Sequence, residues 1–362
     1  MDIENIRAVC ASFDVDSEAV AANPFGNGNI NSTYLVTMSD GTHCVLQHIN
    51  TNVFKNPKEL MENVVGVTAF VTKKLLESGE DASRGTLSFF NTKGGEKFYT
   101  DNDGKAWRMY RCVDGATAYD SADKEGLLYE AAYAFGHFQK MLGEYDAETL
   151  FDTIPNFHNT ASRYEAFETA LAENAAGRAD SVKKEIDVLR RYKERASLIT
   201  DGLASGEIPV RVTHNDTKLN NVLIDDATGK GICVIDLDTV MSGSLLYDFG
   251  DSVRFAGNNG AEDDKELSNV WLDLKKFSEY SKGFLTGVGD AITDNEKKLL
   301  PMSVFILTYE LALRFMTDYL NGDTYFKTKY PEHNIVRTRA QIKLMLDVDS
   351  KLGEMLEIIN EI

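Results

Sequence analysis

The sequence predicts an α+β chain in two lobes: a small N-terminal β-sheet lobe with one main helix, and a larger, mainly helical C-terminal lobe. Three observations carry that prediction. Short β-rich runs punctuated by Gly, Asp and Asn fill the first third, long segments with helical apolar spacing follow Ala116, and one β-rich island over 211–238 interrupts them. With 362 residues, 43% of them hydrophobic, the chain can bury the core that such a unit needs.

In the first lobe, 33–38, 43–48, 86–90 and 107–111 read as strands. Between them, 57–77 spaces Val64, Val67, Val71 and Leu75 at helical intervals and reads as the helix. Gly26 and Gly28, after Asn23-Pro24 and before the first strand, predict a hairpin turn whose backbone N–H groups can approach phosphates with no Cβ in the way. An ordinary hairpin accounts for two glycines equally well. The segment 110–115 joins the two regions, so 1–113 is expected as one lobe and 114–362 as the other, with a ligand in the cleft at the joint. Beyond it, helices are expected over 127–141, 162–172, 181–203, 267–285, 295–319 and 338–359.

Charge and composition narrow the function. Lys and Arg total 38 against 57 Asp and Glu, a formal net charge of −19, which disfavours nucleic acid as a partner. The acidic start, with Asp2, Glu4, Asp14 and Asp16, lacks the order of a secretion signal, so a cytoplasmic protein is expected. Cys10, Cys44, Cys112 and Cys233 are scattered and suggest neither disulfides nor zinc. The apolar stretch 299–320 is broken by Glu310, Arg314 and Asp318 and reads as a buried helix, with no membrane partner expected.

The strongest chemical signal is His214-Asn215-Asp216-Thr217-Lys218-Leu219-Asn220-Asn221, which matches the catalytic-loop spacing H-x-D-x-x-x-x-N of kinases. Phosphoryl transfer needs a carboxylate to take the proton of the attacking hydroxyl, and an amide oxygen five residues on can help to hold a metal. Asp216 is the candidate base and Asn221 a candidate metal ligand. An apolar run, a turn over 225–231 and a second apolar run follow and read as a hairpin, whose open end brings Asp236 beside Asn221 as the principal magnesium ligand. Asp248-Phe249-Gly250 spells a protein-kinase metal motif but lies outside that hairpin. Asp248 is therefore expected to bond backbone near the catalytic loop, and Asp238 to buttress the site or assist with metal.

This ordered set resembles the aminoglycoside phosphotransferase and choline kinase family over nearly the whole chain, which implies a two-lobed protein-kinase-like fold. The segments 26–34, 211–221 and 329–334 resemble in particular kinases of N-acetylated hexosamines. The resemblance implies ATP and Mg2+ as cofactors and a small-molecule sugar as acceptor. Phosphate would pass to the anomeric hydroxyl of N-acetylglucosamine or N-acetylgalactosamine, with Arg314 and Tyr325 contacting the sugar beside Asp216. Gly26, Gly28 and Asn29 would meet the nucleotide's phosphates, and Tyr110, Arg111 and Val113 the adenine at the hinge. Core packing accounts for the apolar hinge residues equally well.

One position departs from the pattern. Kinases carry a strand lysine where this chain has Gln47, which offers no charge, and Lys218 is the candidate cation for the transferring phosphate, although a solvated loop lysine fits its position too. Arg314 follows Glu310 by four helical residues, so an ion pair between them is the plain expectation. His333 has no nucleophile near it in the sequence and reads as structural. The rival functions are a kinase of another small alcohol and a nucleotide-binding scaffold without catalysis. No A-P-E follows Asp236, which argues against a protein substrate.

Overall fold

The computed structural model describes residues 3–26, 30–122 and 124–362. Gly28 and Asn29 lie outside them, whereas Gly26 is described, with φ +75 at the end of the first strand. After helix α1 (Ile3–Cys10) come β1 (Ala19–Pro24), β2 (Ser32–Met38) and β3 (His43–Ile49), then α2 (Pro57–Ser78), the single turn α3 (Ala82–Gly85), β4 (Tyr99–Thr100) and β5 (Ala106–Arg111). The described strands form an antiparallel sheet in the order β1-β2-β3-β5-β4. Side chains alternate across it. Val36, Met38, Cys44, Leu46, Trp107 and Met109 pack with Ile6 and Val9 of α1, which leaves the next residues along, Gln47 and Arg108 among them, for the other face.

Two features of this lobe differ from the sequence reading. The run 86–90 is no ladder strand: it lies beside β5 through Phe90 N–H to Met109 O (2.9 Å) and Arg111 N–H to Ser88 O (2.9 Å), with one bridge, Phe89 to Tyr110. β1, in contrast, carries few β-branched residues and ends in Pro24, a composition tolerated at a sheet edge.

The chain leaves the sheet through β6 (Ala116–Ala118), which joins a second small sheet beside Val222–Asp225 and, beyond it, Gly231–Val234. Helices follow: α4 (Leu127–Met141), α5 (Thr160–Glu173), α6 (Lys183–Arg191) and α7 (Leu198–Ser205). The single helix expected over 181–203 breaks at Tyr192 because tertiary contacts override its periodicity. Tyr192 Oη donates to Asp349 Oδ2 (2.9 Å) and Arg195 Nη1 to Asp349 Oδ1 (2.6 Å), which turns the chain. The island contains β7 (Arg211–Thr213), β8 (Val222–Asp225), β9 (Gly231–Val234) and β10 (Met241–Gly243), and is followed by α8 (Leu245–Ala256), α9 (Leu274–Val288), α10 (Asp294–Leu320) and α11 (His333–Glu361). α9 starts later than expected, at Leu274, because Asp273 caps it by accepting from Lys275 N–H (2.8 Å).

α4 and α9 meet backbone to backbone. A Cβ at Gly136 would stand 2.2 Å from Phe284 O, one at Gly283 2.2 Å from Tyr129 O, and one at Gly287 2.3 Å from Tyr133 O, so only glycine permits this spacing. Helix α10 is long and apolar enough to cross a membrane, yet 78% of its most apolar window is buried inside the fold, where it packs on α5, α8 and α11.

Candidate active site

The β8–β9 hairpin builds the centre. Val222 pairs with Val234 and Leu223 with Cys233, and the pairing continues past the strand ends, where Ile235 N–H donates to Asn221 O (2.9 Å). Asp236 is thereby set beside Asn221. Asp236 and Asn215 both adopt left-handed backbone, at φ 60 and φ 66, a conformation that costs energy outside glycine and is least costly for Asn and Asp. Asn215 is held there by its own side chain, which donates to Thr239 O (2.8 Å).

Asp248, on α8, is the anchor of the catalytic loop. Its carboxylate accepts from His214 N–H (3.0 Å), Asn215 N–H (2.8 Å) and Gln139 Nε2 of α4 (2.7 Å), which is the backbone-bonding role expected of it. His214 Nε2 meets Ile235 O at 2.8 Å while its Nδ1 accepts from Asp216 N–H at 3.2 Å, so these partners assign the proton to Nε2. Thr217 Oγ1 donates to Asp248 O and Ser252 Oγ to Thr217 O, each at 2.6 Å. The loop is pinned on both sides by buried bonds.

Asp216 itself is partly exposed and bonds within the loop, with Lys218 Nζ 2.6 Å from its Oδ1. Asn221 Nδ2 donates to Asp216 O (2.7 Å), so Oδ1 is the atom through which Asn221 would meet a cation. Asp236 keeps solvent access, yet protein crowded about its carboxylate, followed by the charges of Asp238 and Asp216, pushes its pKa up to about 6. Burial opposes the charge on Lys218, but Asp216, Asp251 and Asp236 outweigh it and raise its pKa. Among the described residues no three His, Cys, Asp or Glu side chains gather into a metal cage. One carboxylate and one amide oxygen form a hard, open donor set that fits a divalent ion shared with a nucleotide's phosphates.

On the sheet side, Gln47 donates to Thr33 Oγ1 (2.9 Å) and accepts from Arg108 Nε (2.9 Å). Arg108 was not foreseen; it forms a buried ion pair with Asp238, whose other oxygen accepts from Asn31 Nδ2 (2.6 Å). Asp238 thus buttresses the site. At the hinge the N–H groups of Arg111 and Cys112 are committed to Ser88 O and His43 O, while Tyr110 lies against Phe89 and Val113 is buried. Arg84 holds the joint from outside, donating to Asp114 O (3.1 Å), Gly115 O (3.0 Å) and Asp225 Oδ2 (2.5 Å).

Toward α10, the expected Glu310–Arg314 ion pair is replaced. Glu310 is engaged by His158 Nδ1 (3.0 Å) and Thr160 Oγ1 (2.8 Å), and His158 Nε2 reaches Asn215 O (3.2 Å) in the catalytic loop. Both ring nitrogens of His158 therefore face acceptors; burial disfavours its charge, but Glu310 reverses the balance and raises its pKa. Arg314 instead lies over the Phe326 ring (5.5 Å), and Tyr325, 72% exposed, stands edge-on to the same ring. Nearby Arg163 donates to Phe157 O while its Nε is buried without a partner; burial, then the charge of Arg314, holds its pKa below the usual guanidinium value. Asp318 fixes the segment that carries Tyr325 by accepting from the N–H groups of Thr324 (2.8 Å), Tyr325 (2.8 Å) and Phe326 (2.9 Å) and from Asn334 Nδ2 (2.7 Å). His333, paired with Asp263 (2.9 Å) and accepting from Lys329 N–H, is structural.

Comparison with known proteins adds the following. A family model described as the phosphotransferase enzyme family matches residues 21–280. Solved structures with a similar fold include an aminoglycoside phosphotransferase from Alicyclobacillus acidocaldarius, 12% identical over 98% of this chain and 96% of that one, with TM-score 0.63. A choline kinase from Cryptosporidium parvum is 13% identical over 99% of both chains, with TM-score 0.60, and a microcompartment-associated aminopropanol kinase is 15% identical over 98% of both, with TM-score 0.59.

Proposed function

The chain belongs to the phosphotransferase enzyme family, and on that footing we propose that it transfers the γ-phosphate of ATP to the anomeric hydroxyl of an N-acetylated hexosamine. We place the boundary of its two lobes at 113/114, with the reaction in the cleft between them. Asp216 accepts the hydroxyl proton. An anomeric hydroxyl is more acidic than an ordinary alcohol, so a carboxylate need only take the proton late in a loose transition state. Asn221 and Asp236 would hold Mg2+, which would neutralise charge on the phosphates. Lys218 passes from Asp216 to the transferring phosphate as the nucleotide binds, which frees the base. Gly26, Gly28 and Asn29 would lie over the phosphates, and Val113, beyond the committed N–H groups of Arg111 and Cys112, would offer the adenine its backbone.

The observation that carries the choice of acceptor is the charge around Tyr325. Glu310 and Asp318 each have internal partners, whereas Arg163 and Arg314 bring two guanidiniums to the same side. Such a wall repels choline or an aminoglycoside and offers forked donors to the hydroxyl and amide oxygens of a neutral sugar. ADP release with a panel of N-acetylglucosamine, N-acetylgalactosamine, other sugars, choline and aminoglycosides, with phosphorus NMR of the product, tests this. A sugar 1-phosphate from an N-acetylhexosamine is expected; turnover of cationic acceptors alone would overturn the acceptor assignment.

A further inference from the structure

We infer that Arg108 supplies to the nucleotide's phosphates the positive charge that Gln47 cannot, an inference that rests on the kinase reading above. β3 and β5 pair with Gln47 directly opposite Arg108, so both side chains leave the sheet on one face. The guanidinium is committed on two of its three nitrogens: Nε donates to Gln47 Oε1 (2.9 Å), and Nη1 pairs with Asp238 and lies 3.9 Å from Met61 Sδ of α2. Among the described residues Nη2 has no acceptor, which leaves its two N–H groups for a ligand.

The placement of the pair is as informative as its bonds. Asp238 follows Asp236 by two residues and also binds Asn31, at the foot of the glycine-bearing turn, so the cation sits between the segment that would hold metal and the one that would cover phosphates. Only 3% of the Arg108 side chain is exposed, and a charge held there is poorly screened. Replacing a buried ion pair by apolar residues is often neutral or stabilising, so stability alone gives little reason for one in this position. Gln47, fixed by Thr33, acts as a positioning residue that aims the guanidinium.

Binding of adenosine, ADP and ATP without acceptor, measured by calorimetry, tests the inference whether or not any sugar is phosphorylated. The charge-neutral double variant Arg108→Gln with Asp238→Asn is expected to lose roughly 10- to 100-fold in ADP and ATP affinity, the range of a charge-assisted hydrogen bond, and to keep adenosine within about two-fold. Adding Gln47→Lys to Arg108→Gln should restore part of the loss. If the neutral pair fails to fold, Gln47→Ala, which removes the bond that aims the guanidinium, provides the test by weakening ADP and ATP several-fold while leaving adenosine unchanged. Unchanged ADP affinity, or equal losses for adenosine and ADP, would overturn the phosphate role.

Discussion

Asp248 and Asp318 perform the same task on two sides of the site, each gathering backbone N–H groups of one loop onto a buried carboxylate, but they finish it differently. The loop on Asp248 is locked again from within by Thr217, Ser252, Thr239 and Asn215, and His214 is fully buried. The loop on Asp318 is held again through Asp323, which meets Arg178 Nη1 (2.6 Å) and Asn334 Nδ2 (2.8 Å), yet Tyr325 extends from it 72% exposed. On the function proposed above, the contrast separates chemistry from choice of acceptor. On that function, a base and two metal-holding groups would have to keep fixed distances, whereas a surface that selects an acceptor could be carried on a more exposed segment.

Substitutions can break that contrast, and the largest effect is expected at its centre. Asp216→Asn should reduce turnover by about 10²–10⁴-fold, the worth of a general base, while circular dichroism and Tm stay near wild type, because Asp216 bonds within a partly exposed part of the loop. Retained turnover would remove Asp216 from the base role. Asp248→Ala strands three buried donors and should cost about 3–5 kcal/mol in urea unfolding, with activity falling alongside. Asp318→Ala sharpens the comparison: the acceptor KM should rise about ten-fold through a loosened Tyr325 segment, with nucleotide affinity unchanged. Equal damage to nucleotide binding would mean that the two sides are not separable. Tyr325→Phe, which removes one exposed hydroxyl, should raise the acceptor KM only two- to five-fold, within about 1 kcal/mol.

The smallest expected effect has a pH signature. Asp236 is pushed up to about 6 in the fold, above the ordinary aspartate value, so the folded state holds its proton more tightly than the unfolded chain does. The ionised carboxylate is thus a destabilising feature absent below about pH 4, growing between pH 4 and 6, and fully present above. Asp236→Asn should raise the Tm of the nucleotide-free protein at pH 7.5, and the gain should vanish toward pH 4, while turnover is lost throughout. In the wild type, protonation competes with metal, so metal-dependent turnover should fall as pH drops through about 6. A Tm gain that is independent of pH would show that charge is not its cause.

Local spacing made the convergence of the candidate site residues legible. Asp216 and Asn221 stand five apart in one loop, and Asp236 is brought to them by a hairpin whose two strands and turn are continuous in sequence. The same logic excluded the tripeptide at Asp248 from metal binding. Arg108 escaped notice because its role depends on a cross-strand register; the available signal was one arginine inside the apolar run 106–110. His158 and Glu310 are 152 residues apart, and nothing local announces that they meet. The glycine-bearing turn was read from composition, and Gly26 does take the left-handed conformation that favours glycine.

The seam between α4 and α9 extends its influence beyond packing. Gln139 sits one helical turn past Gly136 on α4 and reaches both Val212 O and the carboxylate that anchors the catalytic loop. A single methyl group added at the seam would force the two backbones apart and swing that amide out of register, so the alignment of the candidate catalytic loop is calibrated by the diameter of a hydrogen atom. If Tyr325 meets the acceptor as proposed, efforts to retool this protein for new acceptors have latitude there and almost none along that glycine-lined contact.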